Sequence, residues 1–206
     1  MKQDWKPGTM VYPAPAVLVS CAHNGRSNLL TVAWTGTICS SPAMCYISVR
    51  PERYSYDLIR NSMEFTINLT TEAIARATDW CGVRSGRDYD KWAESGLTPE
   101  PGVMVGSPSV KESPLSIECR VKEIVSLGSH DMFIAEVLNV RADESLIDPA
   151  DGAFHLERAG LMSYSHGAYF SQGEMLGKFG WSVAKTKAGV SRTHGAASRQ
   201  TLKKNS

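Results

Sequence analysis

Arg50, Arg53 and Ser55 stand close together in RPERYSYD, where an alternating apolar run gives way to a helical one. A guanidinium group binds phosphate through paired N–H donors, and a helix N-terminus offers unsatisfied backbone N–H groups to the same anion. Pro51 favours an extended Arg50, so the strand is expected to stop there. Ser55 reads as the N-cap of a short helix from Tyr56 to about Asn61, with Asp57 favourable in its first turn. These residue types fit a phosphate site that needs no glycine-rich loop. A capped surface helix beside two solvated arginines would leave the same pattern.

Other chemistries are poorly supported. The histidines His23, His130, His155, His166 and His194 are scattered, with no HExxH and no Cys/His ligand spacing. No GxSxG nucleophile elbow occurs. Gly173 to Lys178, GEMLGK, is one residue short of a phosphate loop, and Phe179 stands where Ser or Thr would hold magnesium. A dinucleotide fingerprint is also missing, so any nicotinamide would bind transiently and not in a dedicated fold. Five cysteines, an odd number without CxxC, argue against a disulfide framework. Cys45 and Cys119 fall in apolar strand-like runs and read as core residues, and Cys39 lies in the TICSSP loop.

The elements that must position the phosphate candidates are strands. In Leu29–Thr35, Leu30, Val32 and Trp34 share one face, and Thr31, Ala33 and Thr35 the other. The second face is small, leaving room for a flat ligand against the backbone; two surface strands of an antiparallel barrel would read the same. Cys45, Ile47 and Val49 alternate with Tyr46, Ser48 and Arg50. Asn24-Gly25 signals a hairpin between Pro15–Ala22 and the run from Asn28. Phe65, Ile67 and Leu69 mark another strand, and Thr70 or Thr71 can cap a helix reaching Trp80 or Cys81 with Gly82 as its stop. Arg84–Trp92 is charge-rich and reads as a solvated loop entering a short helix. Leu115–Leu127 and Met132–Val140 form a long hairpin around Gly128-Ser129-His130, and a parity change after Val121 places a bulge near Lys122-Glu123. Short strands joined by hairpins predict a mainly β protein, a β-barrel with inserted helices.

At 206 residues the chain fits one domain. No apolar run approaches the ~20 residues of a membrane span. MKQDWKPGTMVYP lacks the apolar core of a secretory signal, so the chain reads as cytoplasmic. A net charge of +1 argues against nucleic-acid or membrane partners. Residues 185–206 carry six basic and no acidic residues, with few apolar anchors, and read as a basic, flexible C-terminal tail beyond a domain over residues 1–184.

The motifs NLLTVAW, SSPAMCYISVRPERYSYDLI, FTINL, SGRDYDKW, ESPLSIEC, LGSHDMFIAEV and GEMLGKFG follow one another from roughly Pro13 to Lys185. In that order they resemble the flavin reductase-like, FMN-binding split-barrel family, and within it the flavoredoxin-type members. The resemblance implies an FMN-binding split barrel and a homodimer. It implies that Asn28, Thr31, Ala33, Trp34 and Thr35 line the isoalloxazine and that Ser48, Arg50, Ser55 and Lys91 serve the ribityl phosphate. His130 would reach the flavin from another part of the barrel or from a partner subunit. Tyr164, His166 and Lys178 belong to a C-terminal segment that would close over the site. The implied reaction carries a hydride from NADH or NADPH to FMN and on to a small-molecule or protein acceptor. An electron carrier served by a redox protein, with little nicotinamide activity, would use the same motifs, and a ligand-binding barrel without redox chemistry is a third class. Hydride transfer depends on stacking geometry more than on an acid or base, so no catalytic side chain is expected.

Overall fold

The alternating runs fold as strands β1 (Ala14–Pro15), β2 (Val17–His23), β3 (Arg26–Val32), β4 (Thr35–Ser40), β5 (Ala43–Val49) and β6 (Glu64–Leu69). They continue as β7 (Pro99–Glu100), β8 (Ser109–Val110), β9 (Leu115–Ser126), β10 (Asp131–Ala142), β11 (Met162–Ser165) and β12 (Ala168–Ser171). Three helices, α1 (Tyr54–Ser62), α2 (Ala75–Val83) and α3 (Lys91–Ser95), are inserted between them. The structure is a computed structural model and describes residues 1–184, so the expected tail over 185–206 lies outside the described residues. Met1–Gln172 forms one unit, and a second begins at Gly173, with a 3-10 turn at Trp181–Val183.

Seven antiparallel strands form the main sheet in the order β3-β2-β6-β9-β10-β5-β4. Its two outer strands, β3 and β4, are separated in the chain by Ala33 and Trp34 alone. Such a short connection forces the sheet to curl until its edges meet at that corner. The Ser48 N–H donates to the Trp34 carbonyl at 2.8 Å and fixes the junction. The outer edge of β3 pairs with no strand in the described residues, so the barrel is split there. Inside it pack Val19, Leu30, Val32, Cys45, Ile47, Phe65, Cys119 and Phe133, and outside it Leu18, Leu29, Ile74, Cys81 and Leu97 join α2 and α3 to the sheet.

Several local signals are seen directly. Asn24 (φ 49°) and Gly25 (φ 73°) both adopt the left-handed region that a two-residue hairpin turn requires. Ile134 pairs with Glu123 and Ala135 with Val121, which leaves Lys122 as the bulged residue. Other expectations are corrected. Leu29–Thr35 is not one strand: β3 ends at Val32, and Thr35 opens β4 on the far edge of the sheet. Alternation continues through the corner, so parity alone does not reveal it. TICSSP is largely β4, with Ser41 and Pro42 turning into β5. Ser55 is not an N-cap; α1 begins at Tyr54 after Arg53, and Ser55 is buried in its first turn. A 3-10 turn at Glu72–Ile74 precedes α2, which runs through Gly82 to Val83. No helix among the described residues is long and apolar enough to cross a membrane.

The segment between α3 and β9 is held by a buried carboxylate. Glu118 on β9 is fully buried and accepts the Val103 N–H at 2.8 Å and the Met104 N–H at 2.7 Å. Hydrogen bonds to a charged acceptor are worth ~1.5–3 kcal/mol each, so Glu118→Ala is expected to lower the unfolding free energy by about 3 kcal/mol in urea titration. A loss below about 1 kcal/mol would show that this carboxylate does not hold the segment.

Candidate functional site

The split in the barrel is a groove made of two cavities that share Leu30, Arg50 and Arg53. Its first part, of about 310 Å³, runs along the free edge of β3. The pair flanking the two-residue turn, His23 and Arg26, exchanges both ladder bonds, and bonding then alternates along the strand. The peptide groups of Leu29 and Thr31 consequently face away from β2, into the split. The Lys91 ammonium confirms this direction by donating to the Leu29 carbonyl at 2.9 Å. Opposite this edge lie Ser48, Val49 and Arg50, and Trp34, Tyr164 and Tyr169 enclose one end.

The second part, of about 620 Å³, has a buried floor. Lys91, first residue of α3, is 3% exposed, and its ammonium also donates to the Cys81 carbonyl at 2.6 Å. An ammonium has three donors, so one remains after these two bonds. Burial pushes Lys91 down to about 8. Beside it, the Ser55 hydroxyl accepts from Asn28 Nδ2 at 2.8 Å. Arg53 makes no side-chain cap on α1, which leaves the Tyr54 and Ser55 N–H groups at the helix N-terminus open to the cavity they line. Gly86 completes the floor: a Cβ there would lie 2.4 Å from Asn28 Oδ1 and 2.5 Å from Tyr54 Cδ1. The loop can approach Asn28 this closely only because position 86 carries no side chain.

Arg50, Arg53, Arg84 and Arg87 form the exposed rim of the second cavity. Arg87 donates to the Glu52 carbonyl at 2.8 Å and Arg53 to the Gly82 carbonyl at 3.4 Å. His130, from the β9–β10 hairpin of this same chain, lines the first cavity. Burial, and then Arg50, hold its ring below the usual histidine range, so it is neutral at pH 7. At the aromatic end the Tyr169 hydroxyl donates to Asp79 Oδ1 at 3.1 Å, and burial pushes Tyr169 up to about 12.

Thr31, Ala33, Trp34, Ser48, Arg50 and His130 therefore meet at the first cavity, and Asn28, Arg50, Ser55 and Lys91 at the second. Thr31 contributes backbone, since its hydroxyl donates to the Thr78 carbonyl of α2. Thr35 lies apart from these residues. It is buried, its hydroxyl donates to the Tyr46 carbonyl at 2.6 Å, and it is absent from the lining because the corner at Ala33–Trp34 carries it onto β4. Cys39 is half-buried on β4 and lines neither cavity. Of the closing segment, Tyr164 lines the first cavity, and His166 packs edge-on to Tyr12 at 6.1 Å. By residue type alone Arg84–Trp92 reads as a solvated loop entering a short helix, and nothing in the sequence singles out Asp79 or Tyr169. The available signal was Ser85-Gly86-Arg87 ahead of Lys91, a glycine and an arginine within reach of a buried cation.

A family model described as "Flavin reductase like domain" matches residues 9–171. The flavoredoxin of Desulfovibrio vulgaris (Miyazaki F) superposes with a TM-score of 0.83 at 33% identity, covering 89% of this chain and 100% of that one. An uncharacterized protein of Aeropyrum pernix is 30% identical over 128 residues, 62% of this chain; the chain spans about half of that relative, 49% of its length. The reductase component of a 4-nitrophenol 4-monooxygenase/4-nitrocatechol 2-monooxygenase from Rhodococcus opacus is 24% identical over 131 residues, 64% of this chain and 67% of that protein.

Lys91 has a pH signature. Its folded value lies near 8 and its ordinary value near 10.5, so between these limits the unfolded chain binds more protons. This group's contribution to stability therefore rises with pH from about 8 to 10.5, and below 8 the full desolvation penalty of the ammonium applies. Urea titration of the anion-free wild type and of Lys91→Met should give a stability difference that moves in favour of the wild type between pH 8 and pH 10. A difference independent of pH would mean that Lys91 is not desolvated.

Proposed function

The chain belongs to the flavin reductase-like family, and from that premise we propose that the split groove holds FMN and that the protein is an NAD(P)H-dependent oxidoreductase. The observation that carries this reading is the continuity of the groove. A buried ammonium and an uncapped helix N-terminus at one end open directly onto a free strand edge at the other. The residues fit the group chemically. The phosphate would take the third donor of Lys91, the Ser55 hydroxyl, the first N–H groups of α1 and the guanidinium of Arg50. The ring edge, with its alternating donors and acceptors, would meet the outward peptide group of Thr31 and the chain through Ala33 and Trp34. Ser48 and His130 would complete the lining, His130 as a neutral ring able to donate or accept. One compact anion floor, without a glycine-rich diphosphate loop, favours FMN over FAD.

FMN bound there supplies a two-electron acceptor for a dihydronicotinamide hydride and a donor to a small-molecule or protein acceptor. The chain's part is to neutralise the phosphate, hold the ring edge and leave a ring face reachable from solvent. No side chain needs to move a proton for the first half of that exchange. The reductase component from Rhodococcus opacus supports this reading. The likeness to a flavoredoxin supports a second, in which the same site serves a carrier reduced by another redox protein.

Heat release followed by chromatography is expected to give FMN, and stoichiometric FAD would refute the cofactor assignment. Lys91→Ala and Arg50→Ala should each weaken FMN binding about tenfold or more in fluorescence titration of the apoprotein, whereas Lys122→Ala should leave it unchanged. Anaerobic stopped-flow mixing with NADH or NADPH should bleach the flavin within seconds. A flavin that dithionite reduces but neither nicotinamide does would establish the carrier instead.

A further inference from the structure

The second cavity carries more positive charge than a single phosphate monoester can use. Five cations, Arg50, Arg53, Arg84, Arg87 and Lys91, line it together with one carboxylate, Glu52. A phosphate monoester brings about −1.5 to −2 near neutral pH. Among the described residues none of these five cations forms a salt bridge, whereas Arg120, Lys122 and Arg141 elsewhere each pair with a glutamate. Like charges gathered without counter-ions repel one another and lose stability unless an anion joins them.

The surplus is also arranged by depth. Lys91 and Ser55 are buried at the floor, and the arginines stand exposed above them. The rim is partly pre-organised, with Arg87 tied to the Glu52 carbonyl, Arg53 to the Gly82 carbonyl, and Arg84 stacked 5.4 Å over the Tyr89 ring. Such anchoring reduces the ordering entropy lost when a planar guanidinium grips a phosphate in bidentate fashion. Arg53 lines both cavities, so phosphates held at the rim can belong to a molecule whose other end enters the first cavity.

We propose that Arg84 and Arg87, continued by Arg53, form a second phosphate subsite that holds the diphosphate of a dinucleotide electron donor. The subsite rests on the reading of the floor as the FMN phosphate site. It would serve where a Rossmann domain is missing, drawing a transient donor by charge and releasing it readily. A concave rim suits a small phosphorylated molecule, whereas an acidic redox protein would need a broad surface of matching charge.

The test uses FMN-loaded protein and ADP-ribose, which carries the diphosphate but no nicotinamide. Isothermal titration should show ADP-ribose binding weakened about tenfold or more in the Arg84→Ala/Arg87→Ala double variant, with FMN affinity within about twofold of wild type. In stopped-flow reduction the double variant should raise the half-saturating NADH concentration by a similar factor, keep the limiting rate, and leave reduction by dihydronicotinamide riboside, which has no phosphate, unchanged. Equal ADP-ribose affinity in wild type and variant would overturn the proposal. So would a parallel loss of FMN, or release of FAD as the native flavin, since the rim would then hold the flavin's own phosphates. Reduction only by an acidic redox protein would also overturn it. Failure of the wild-type apoprotein to bind FMN at all would defeat the cofactor reading itself and is read out separately.

Discussion

Two residues, Ala33 and Trp34, connect strands that lie at opposite ends of a seven-stranded sheet, and most of the site follows from that constraint. A chain that must pass from one sheet edge to the other in two residues brings those edges together at one corner and lets them diverge elsewhere. The divergence leaves the outer edge of β3 without a strand partner among the described residues, and unpaired peptide groups on an edge recruit a ligand or a side chain. Lys91 takes the Leu29 carbonyl; the next outward peptide, that of Thr31, faces the first cavity. The groove is thus a consequence of barrel closure.

The same corner explains how anion chemistry came to lie beside an apolar barrel. Strand β5 ends at Val49, Pro51 turns the chain, and α1 begins with its N-terminus against the open edge. On the other side α2 packs on β3, with the Thr31 hydroxyl bonded to the Thr78 carbonyl, and hands the chain to the loop that carries Arg84, Gly86 and Arg87. Lys91 then inserts between α2 and β3, where two carbonyls hold an ammonium that burial would otherwise expel. Its lowered proton affinity is the mark of a cation kept in a dry place by geometry, and a phosphate arriving there would restore the charge balance.

The outer parts of the groove divide the work differently. Its aromatic end is assembled from distant segments, Trp34 beside β3 and Tyr164 and Tyr169 on the β11–β12 hairpin, and is suited to planar molecules. Its basic end is a rim of arginines, of which Arg53 and Arg87 donate from their guanidinium groups to backbone carbonyls and Arg84 stacks on an aromatic face. Arg50 and Arg53 belong to both ends, so a long ligand with a flat head and an anionic tail is the shape the groove favours.

What could be read from the amino acids alone was local. Alternation marked the strands, Asn24-Gly25 marked its turn because only a few residues tolerate the left-handed region, and the parity change after Val121 marked the bulge at Lys122. Arg50 and Ser55 announced an anion site through their own chemistry, and the order of motifs along the chain pointed to a flavin. Tertiary structure decided what parity and composition could not. Thr35 continues the alternation of β3 but sits on another strand, because a corner does not interrupt a period of two residues. Ser55 looked like a cap and is instead a buried hydroxyl inside the first turn of α1. Arg84 and Arg87 looked solvated, since a charge-rich loop has the same composition whether it faces water or a ligand. Lys91 follows Asp88 and Asp90 in a charge-rich stretch, and only the packing of α2 and α3 on β3 puts its ammonium in a low-dielectric site. Burial of a polar group depends on which distant segments cover it, and that is a property of the folded chain, not of any stretch within it.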